Sequence, residues 1–522
     1  MTLSQVVLKT QVVFLLSITA FILVSSLARP MSSDHGVFAW AANATFHGKV
    51  LYKDVWEQKG PVTFLVFAIP QVLFGNSFWG IRVLEVVFIV ITMIAIYRLM
   101  RDHVDFHLAL ASALLVSFAY LGQRYWDTAQ ADSFAALTLI WALCLLGRKS
   151  SPPRATVLLA GLLVAMTAGF KWLYIANALP LFILLQMMHS DDVHSKRVFS
   201  VWFITGIATG LVLIHGYLAL TGGLYQYFVI QFDFNRLVHM GRNTSTFNTF
   251  LYTTILMIYG NGLWWFAFLI IPASEQKQKE SRFVLWIGCW LLTLSSLVIV
   301  FIQNKPYIYQ RFAPILLLPL IAILGISRIQ EIYVQSKGNT EPARTKFAIW
   351  LFALVLSIPF FWEMSGVNGT YVAGWKYLCG ILNREEFLAL DIHEKKLLQQ
   401  LKVAHYIQQH TTENDTVQVW GYDAILNYIA NRQSPTRFGF NYPLVSSEGT
   451  PYQEYYRREF IESLTKNPPT YIVIVDNDSS GEMLKRTSTE ELHRFAAFES
   501  YLLKHYRFET KLYDYSLWRQ RP

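Results

Sequence analysis

The segment 31-MSSDHGVFAWAANATFHGKVLYKDVWEQKGP-61 decides how the rest of the chain is interpreted. It follows the first long apolar run, residues 12–28, and it carries the ionisable residues Asp34, His35, Glu57 and Lys59. We interpret the run 12–28 as a retained helix, not a cleaved signal peptide, because it is long and little positive charge precedes it. The charged segment then lies at a membrane surface, where ionisable groups are either fully solvated or serve a function.

The composition is that of a polytopic membrane protein. Of the 522 residues, 53% are hydrophobic and 15% are charged, and the mean hydropathy is +0.33. These values are too apolar for an ordinary soluble enzyme. Apolar blocks of bilayer-crossing length predict about eleven spans. The predicted spans are 12–28, 80–97, 106–122, 132–146, 155–169, 174–188, 201–220, 249–271, 283–302, 312–326 and 347–362. The shorter run 62–74 has the length of an interfacial helix and is not counted.

The charges predict the orientation of the chain. The formal net charge of +9 comes mainly from Lys and Arg in loops, and no basic run with interleaved aromatic residues indicates nucleic-acid binding. The positive-inside rule places the loops richest in Lys and Arg in the cytoplasm. The N-terminus is then inside, and an odd number of spans places the C-terminus outside. The loops 29–79 and 221–248 also lie on the outer side. Three cysteines are too few and too scattered for a disulfide framework or a zinc site.

A change in composition predicts two domains. Residues 1–364 form a transmembrane domain whose first outer loop, 31–79, contains interfacial helices, and residues 365–522 form an extracytoplasmic α/β domain. The runs TVQVWGY (416–422) and TYIVIVD (470–476) are strand-like and alternate with helical patterns. This alternation predicts a small, partly parallel sheet. The α/β domain has no G-x-G-x-x-G motif, and no pattern in it indicates chemistry of its own.

Acidic residues mark the outer ends of two different spans. Asp34 follows the first predicted span, and QRYWDTAQADSF (123–134) places Asp127 and Asp132 at the start of another. Each can be a solvated loop acid. The apolar residues after Asp34, however, have helical spacing, which would fix Asp34 in place. We therefore predict that acids from two outward loops converge on one pocket.

Cationic residues share this predicted outer face. They are Lys59, Arg82, Arg124, Lys305 and Arg311. A single Lys or Arg at a helix end is often a snorkelling anchor. As a set beside carboxylates, these side chains suit an anionic headgroup such as a lipid phosphate. Tyr309, which lies between two of them in the sequence, can add a hydroxyl donor or belong to the aromatic belt.

A histidine on the same predicted face could take part in a metal site. His239 could join Glu57 in binding a divalent metal ion, although their spacing specifies no coordination geometry. Solvated or hydrogen-bonded roles are the alternative for both residues.

Four motifs in order resemble a known family. They are DHGVFAWAANATFHGKVLYKDVWEQKGP (34–61), FGNSFWGIRVLEV (74–86), TAQADSFAALTL (128–139) and KPYIYQRFAPILLL (305–318). Together they resemble the GT-C polyprenyl-phosphate glycosyltransferases, in the branch of protein O-mannosyltransferase-like enzymes and of the aminoarabinose and galacturonic acid transferases of lipid A. The resemblance covers about the first 330 residues and implies the GT-C fold.

The resemblance implies roles for individual residues. Asp34 matches the catalytic carboxylate and Asp132 the second acid. Lys59 matches the lysine that contacts the lipid phosphate in the family, and Arg82 matches the arginine that follows the Phe-Gly turn. Lys305 and Tyr309 match the motif in the late outer loop. His35 stands where the family has the partner acid, Lys-Gly-Pro replaces Lys-Pro-Pro, and Glu57 lies one position from a glutamate that binds metal in some members. We place His35, Arg124 and Arg311 with the predicted substrate-binding residues.

The predicted function is transfer of a sugar from a polyprenyl phosphate to a hydroxyl of a glycolipid, polysaccharide or protein. Asp34 acts as general base, and the reaction takes place on the non-cytoplasmic face of what we expect to be a bacterial inner membrane, with inversion at the anomeric carbon. Two alternatives remain. A transporter or flippase would carry charges within its spans, where few occur here. A polymer ligase would use a lipid diphosphate instead.

Overall fold

The computed structural model describes residues 3–189, 193–240, 247–248, 250–251, 281–303, 305, 307–336, 370–390, 392–478 and 486–522. The predicted span 347–362 lies outside the described residues, and the predicted span 249–271 lies largely outside them.

Helices make up most of the described chain. They are α1 (Leu3–Ser26), α2 (Ser33–Phe46), α3 (Pro61–Phe74), α4 (Gly80–Arg101), α5 (Phe106–Leu121), α6 (Ala131–Leu146), α7 (Arg154–Phe170), α8 (Ala178–His189), α9 (Val193–Thr221), α10 (Leu224–Phe228), α11 (Ser281–Gln303), α12 (Phe312–Ser336), α13 (Thr370–Leu378), α14 (Arg384–Ala389), α15 (Ile392–His410), α16 (Ile425–Ala430), α17 (Tyr442–Val445), α18 (Pro451–Lys466), α19 (Ser488–His493) and α20 (Ala496–His505). Tighter 3₁₀ turns cover Trp172–Asn177 and Ile308–Arg311, and a π-helical segment covers Val229–Met240.

The chain forms two compact units. The first unit contains Met1–Arg29, Arg82–Ile214 and Ser245–Leu382, and the second contains Pro30–Ile81, His215–Thr244 and Asn383–Pro522. The predicted boundary between residues 364 and 365 separates the transmembrane part of the chain from the extracytoplasmic part. These two units are defined by packing instead, so the predicted boundary stays a prediction.

The apolar helices confirm an integral, multi-pass membrane protein. In the described part of the chain, five helical segments are long and apolar enough to cross a membrane. They are Gly80–Arg101, Trp172–His189, Val193–Thr221, Ser281–Gln303 and Ile308–Arg328. Shorter apolar helices cover the predicted spans at 106–122, 132–146 and 155–169. In the segment Ile308–Arg328, 94% of the residues of an 18-residue window are buried. Helix α12, which forms most of this segment, packs against α5, α6 and α11 and is therefore enclosed by other helices of the first unit.

The second unit contains a four-stranded sheet. Its strands are β1 (Val417–Trp420), β2 (Tyr471–Val475), β3 (Tyr506–Leu512) and β4 (Tyr515–Gln520), in the order β1-β2-β4-β3. Strands β1 and β2 pair in parallel, as predicted, while β4 runs antiparallel to both of its neighbours. All residues of β1 and β2 are buried, which is typical of parallel strands covered on both faces. The hairpin of β3 and β4 was not predicted.

Helix α2 is more enclosed than the sequence suggested. Its apolar pattern predicted a helix lying in the membrane interface, but residues 35–44 are all buried within the second unit. The helix packs against α3 and α16. Gly36 lies so close to Ile425 that a Cβ at this position would collide with it. The close packing fixes the beginning of α2, where Asp34 lies.

Helix α3 has two different faces. Val62, Phe64 and Phe67 are buried, whereas Leu65, Val72 and other apolar side chains are exposed. Pro61 occupies the first turn, where its missing N–H costs nothing. An apolar exposed face on a short helix fits the predicted interfacial role of residues 62–74.

Candidate active site

Asp34 lies in the first turn of helix α2, whose beginning is fixed by Ser32. The Ser32 hydroxyl accepts from the His35 backbone N–H at 3.4 Å, and the Ser32 N–H donates to His35 Nδ1 at 3.0 Å. This reciprocal pair is a capping box, so the fully buried His35 has a structural task beside its predicted contact with substrate. The Asp34 side chain is half-buried and lies at the positive end of the helix dipole, which favours a carboxylate.

A tyrosine that sequence analysis did not identify contacts Asp34. The Tyr422 hydroxyl donates to Asp34 Oδ1 at 2.9 Å. Tyr422 lies just after strand β1 and 388 positions along the chain from Asp34. No local signal in the sequence connects two residues this far apart, so only the fold of the second unit shows the contact.

Glu57 and Lys59 belong to the same unit, in the loop before helix α3. Glu57 is buried, and its Oε1 accepts from the backbone N–H groups of Gln58 at 2.6 Å and Lys59 at 3.1 Å. Burial raises the pKa of Glu57 from 4.5 to about 7, although the Lys59 charge and the two N–H donors lower it. The charge of Asp34 raises the pKa of Glu57 further, so the two carboxyl groups interact electrostatically.

The backbone at Lys59 is held from two sides. The Tyr52 hydroxyl donates to the Lys59 carbonyl at 2.7 Å, and the Gln231 side-chain amide donates to the same carbonyl at 3.2 Å and to the Gln58 carbonyl at 2.7 Å. Lys59 itself is 9% exposed. The second unit therefore brings together four predicted site residues, Asp34, His35, Glu57 and Lys59, on a firmly held framework.

Asp132 lies in the first unit, in the first turn of helix α6, and is completely buried. Lys171 Nζ lies 3.1 Å from Asp132 Oδ1 and 3.4 Å from Oδ2, and the Tyr174 hydroxyl donates to Oδ1 at 2.9 Å. Lys171 also donates to the side chain of Gln303. Sequence analysis missed Lys171, although a lysine between two apolar runs was a usable signal.

Arg82 also lies in the first unit and is paired internally. Its guanidinium is fully buried and lies 2.9 Å from Glu85 Oε2, one turn away on helix α4. It also donates to Thr128 Oγ1 at 3.1 Å and to the Tyr125 carbonyl at 3.0 Å, while the Tyr120 hydroxyl donates to Glu85 at 2.9 Å. Glu85 was missed, although the spacing of Arg82 and Glu85 was readable from the sequence. This geometry favours a role in joining helices, and the predicted contact with phosphate stays a prediction.

The remaining predicted cations lie in different surroundings. Arg124 is exposed, with its guanidinium 5.3 Å from the centre of the Trp126 ring. Lys305 is half-buried, and the ring of the buried Tyr309 stacks on Tyr307 with centres 5.3 Å apart.

Arg311 is the most informative of these cations. It is 1% exposed, and its Nη1 donates to the Tyr307 carbonyl at 2.8 Å. Neither Nε nor Nη2 of Arg311 has an acceptor among the described residues. A buried N–H without an acceptor is costly, so these two groups of Arg311 could bind an anion, and the predicted contact with substrate stays a prediction.

The structure does not bring together a metal centre in its described part. No group of three or more His, Cys, Asp or Glu side chains lies together there as metal ligands would. The backbone of His239 belongs to the π-helical segment Val229–Met240, but its side chain lies outside the described residues. Glu57 instead uses one oxygen for backbone N–H groups, so the metal site of Glu57 and His239 stays a prediction.

A comparison with protein families agrees with these motifs. Residues 58–220 match the sequence model of the dolichyl-phosphate-mannose-protein mannosyltransferase family. This stretch contains Lys59, Arg82 and Asp132. No curated protein sequence matches the chain.

Solved structures agree over almost the whole chain. ArnT from Cupriavidus metallidurans bound to undecaprenyl phosphate has a TM-score of 0.59 and 13% identity, and the match covers 97% of each chain. The apo state of the same protein has a TM-score of 0.58 and 15% identity, with 98% of each chain covered. The chain has the GT-C fold. The predicted GT-C membrane fold with a C-terminal sheet region is confirmed, while the number of spans and the side of the membrane on which the sheet region lies stay predictions. The GT-C fold together with the family match bears out the prediction of a membrane glycosyltransferase.

Proposed function

We propose that this GT-C protein transfers a sugar from a polyprenyl monophosphate to an acceptor hydroxyl. The observation that carries the proposal is the arrangement of the second unit, which holds the half-buried carboxylate of Asp34 at a helix beginning and the buried Lys59 in one framework. Asp34 supplies a group that can take a proton, and Lys59 supplies a cation for a phosphate. The ArnT structure with bound undecaprenyl phosphate supports a lipid monophosphate as the donor.

The proposed reaction is a single displacement. The acceptor oxygen forms a bond to the anomeric carbon as Asp34 takes the hydroxyl proton. The bond between the anomeric carbon and the phosphate oxygen breaks, and its electron pair leaves with the polyprenyl phosphate. Lys59 stabilises the negative charge that develops on the phosphate. Displacement from the opposite side inverts the anomeric configuration.

In the first unit, we assign an anion-binding role to Arg311. Its buried Nε and Nη2 have no acceptor among the described residues, and guanidinium N–H groups match the oxygens of a phosphate. Lys305 and Tyr309 precede Arg311 in the same segment and are proposed to contact the donor as well. Asp132, by contrast, engages Lys171, and we assign it the task of holding that lysine.

The proposed location is a bacterial inner membrane, with the reaction on the periplasmic side. The asymmetric distribution of Lys and Arg among the loops supports this orientation. The proposed acceptor is a hydroxyl of a glycolipid, polysaccharide or protein of the cell envelope.

The proposal is tested with purified protein and a labelled polyprenyl-phosphate sugar. The acceptor is supplied as envelope glycans from cells that lack the protein. We expect label in the glycans, equimolar release of polyprenyl monophosphate, and an inverted linkage by NMR. The Lys59→Ala variant should use the donor poorly, with a raised KM, because the phosphate loses a cation.

Three outcomes would contradict the proposal. Movement of intact donor across vesicles without cleavage would indicate a transporter. Consumption of a lipid diphosphate alone would indicate a ligase. An unchanged donor KM in Lys59→Ala would remove Lys59 from the phosphate contact.

A further inference from the structure

We propose that Tyr422 is a positioning residue for Asp34, which makes the loop after strand β1 part of the catalytic apparatus. This inference rests on the proposed function, since it concerns the group that takes the acceptor proton. The contact that points to it is the hydrogen bond of 2.9 Å from the Tyr422 hydroxyl to Asp34 Oδ1. Nothing in the sequence of the α/β region indicated a chemical role for it.

Tyr422 lies at the carboxyl end of the parallel strands of the sheet. Strands β1 and β2 are parallel, so their carboxyl ends meet at the same edge. Ligand-binding residues commonly follow parallel strands at this edge. Tyr422 lies in the loop after β1, and Asp478 lies in the chain that follows β2.

Asp478 fixes the backbone of Tyr422. The carboxylate of Asp478 is 2% exposed, and its Oδ2 accepts from the Tyr422 backbone N–H at 3.1 Å. The backbone N–H of Ser488 donates to Asp478 Oδ1 at 2.8 Å, and the Ser488 hydroxyl donates to Oδ2. A buried carboxylate with several donors is a rigid anchor. The backbone at Tyr422 therefore has little freedom to move.

The residue after Tyr422 is anchored as well. Asp423 is completely buried, and it receives Lys396 Nζ at 3.1 Å, the Gln400 amide at 2.9 Å and the Tyr515 hydroxyl at 2.9 Å. The ring of Tyr422 packs edge-on against Phe440, with ring centres 5.4 Å apart. The anchored backbone of Tyr422, the anchored Asp423 and the packing of the Tyr422 ring together fix the position of the Tyr422 hydroxyl, which donates to the Asp34 carboxylate.

A hydroxyl that donates to one carboxylate oxygen sets the orientation of the whole carboxyl group. Proton transfer requires the base to lie within hydrogen-bond distance of the acceptor hydroxyl and to point toward it. A small misorientation of a reacting group can cost a large factor in rate while leaving substrate binding intact. Tyr422 therefore acts through Asp34, not on the substrate itself.

The test is the variant Tyr422→Phe, which removes only the hydroxyl and keeps the ring against Phe440. We expect kcat to fall roughly 10- to 100-fold, which is the range for losing a hydrogen bond to a charged group. The KM for donor and acceptor, the binding of undecaprenyl phosphate, and the thermal unfolding temperature in detergent should stay close to those of the wild type.

The matched control is Tyr428→Phe. The Tyr428 hydroxyl donates to the Ser77 carbonyl at 3.3 Å in the same unit, on helix α16, which packs against helix α2. Its loss should leave kcat unchanged, so a kcat effect in Tyr422→Phe alone separates positioning of Asp34 from loosening of the unit.

The outcomes distinguish this inference from the proposed function. If Asp34→Asn is inactive while Tyr422→Phe keeps the wild-type kcat, the inference is wrong and the proposed function stands. The positioning role of Tyr422 is also refuted if Tyr422→Phe raises KM with kcat unchanged. It is refuted as well if the loss of activity merely equals the loss of folded protein. If Asp34→Asn transfers the sugar at the wild-type rate, Asp34 is not the base and this inference is refuted with it, while sugar transfer stands. If the wild type itself transfers no sugar from a polyprenyl monophosphate, the proposed function is refuted.

Discussion

Asp34 and Asp132 are the same type of residue at the same place on a helix, in the first turns of α2 and α6. Asp34 is half-buried, and the neutral hydroxyl of Tyr422 donates to it. Asp132 is completely buried, and the ammonium group of Lys171 lies 3.1 Å from its carboxylate. Tyr174 adds a hydroxyl at 2.9 Å.

This difference in surroundings separates two tasks. An enclosed carboxylate paired with a cation keeps that cation and its segment in place, and removing either partner leaves a buried charge uncompensated. A half-buried carboxylate with a neutral donor can still accept a proton from a substrate. The motifs alone made both aspartates candidates for the reaction. This contrast supports our proposal that Asp34 takes the acceptor proton and that Asp132 holds Lys171.

The largest effect is expected for Asp34→Asn. Transfer should fall by about 10²–10⁴-fold, because the amide cannot take the acceptor proton. The measurement is the rate of label transfer by purified, folded protein. Asp54→Asn is the matched control, because Asp54 lies in the same unit, between helices α2 and α3. Its carboxylate accepts from the Val50 N–H at 2.9 Å, and an amide oxygen can accept the same hydrogen bond. Near-normal transfer by Asp34→Asn would erase the contrast with Asp132.

Asp132→Asn should chiefly destabilise the protein. The Lys171 ammonium would lose its buried carboxylate, at a cost on the order of 3–5 kcal/mol. The measurement is the fraction of protein that remains monodisperse after heating in detergent. Lys171→Met in the same background should recover part of the loss, because the unpaired charge is removed. An Asp132→Asn protein that is stable but inactive would instead move Asp132 into the chemistry.

A third prediction concerns Glu57 and pH. Its pKa of about 7 in the folded protein exceeds the ordinary value of 4.5, so its contribution to stability is fully present below about pH 4.5 and is lost as the pH rises through 7. Between pH 5 and 8, ionisation of Glu57 should lower the free energy of unfolding of the wild type by on the order of 3 kcal/mol. The Glu57→Gln variant should not show this loss. Unfolding temperatures across this pH range test it, with the exposed Glu454→Gln as control. Parallel pH curves for wild type and Glu57→Gln would contradict it.

The smallest effect is expected for Tyr174→Phe. Removing the hydroxyl takes one neutral donor from Asp132 but leaves Lys171 in place, so the free energy of unfolding should fall by about 1–2 kcal/mol. The transfer rate per folded molecule should stay near that of the wild type. Tyr422→Phe should show the opposite pattern, so measuring both variants sharpens the contrast between the two aspartates. A lower kcat in Tyr174→Phe would weaken that contrast.

The sequence by itself determined the class of the protein and most of its local elements. Hydropathy and length predicted the apolar helices, alternating apolar runs predicted β1 and β2, and four ordered motifs indicated the GT-C fold. These features depend on residues that are close in the chain, which is why a local pattern can show them. The spacing of Arg82 and Glu85 was equally local.

Only the tertiary structure decided which side chains meet. Lys171 reaches Asp132 across 39 positions, and Tyr422 reaches Asp34 across 388. Such contacts depend on how helices and strands pack, and a residue's own neighbours in sequence carry no record of that packing. The same holds for the burial that raises the pKa of Glu57. Residue type indicated the candidates for the reaction, and the folded surroundings distinguished a proposed base, Asp34, from the buried partner of a lysine, Asp132.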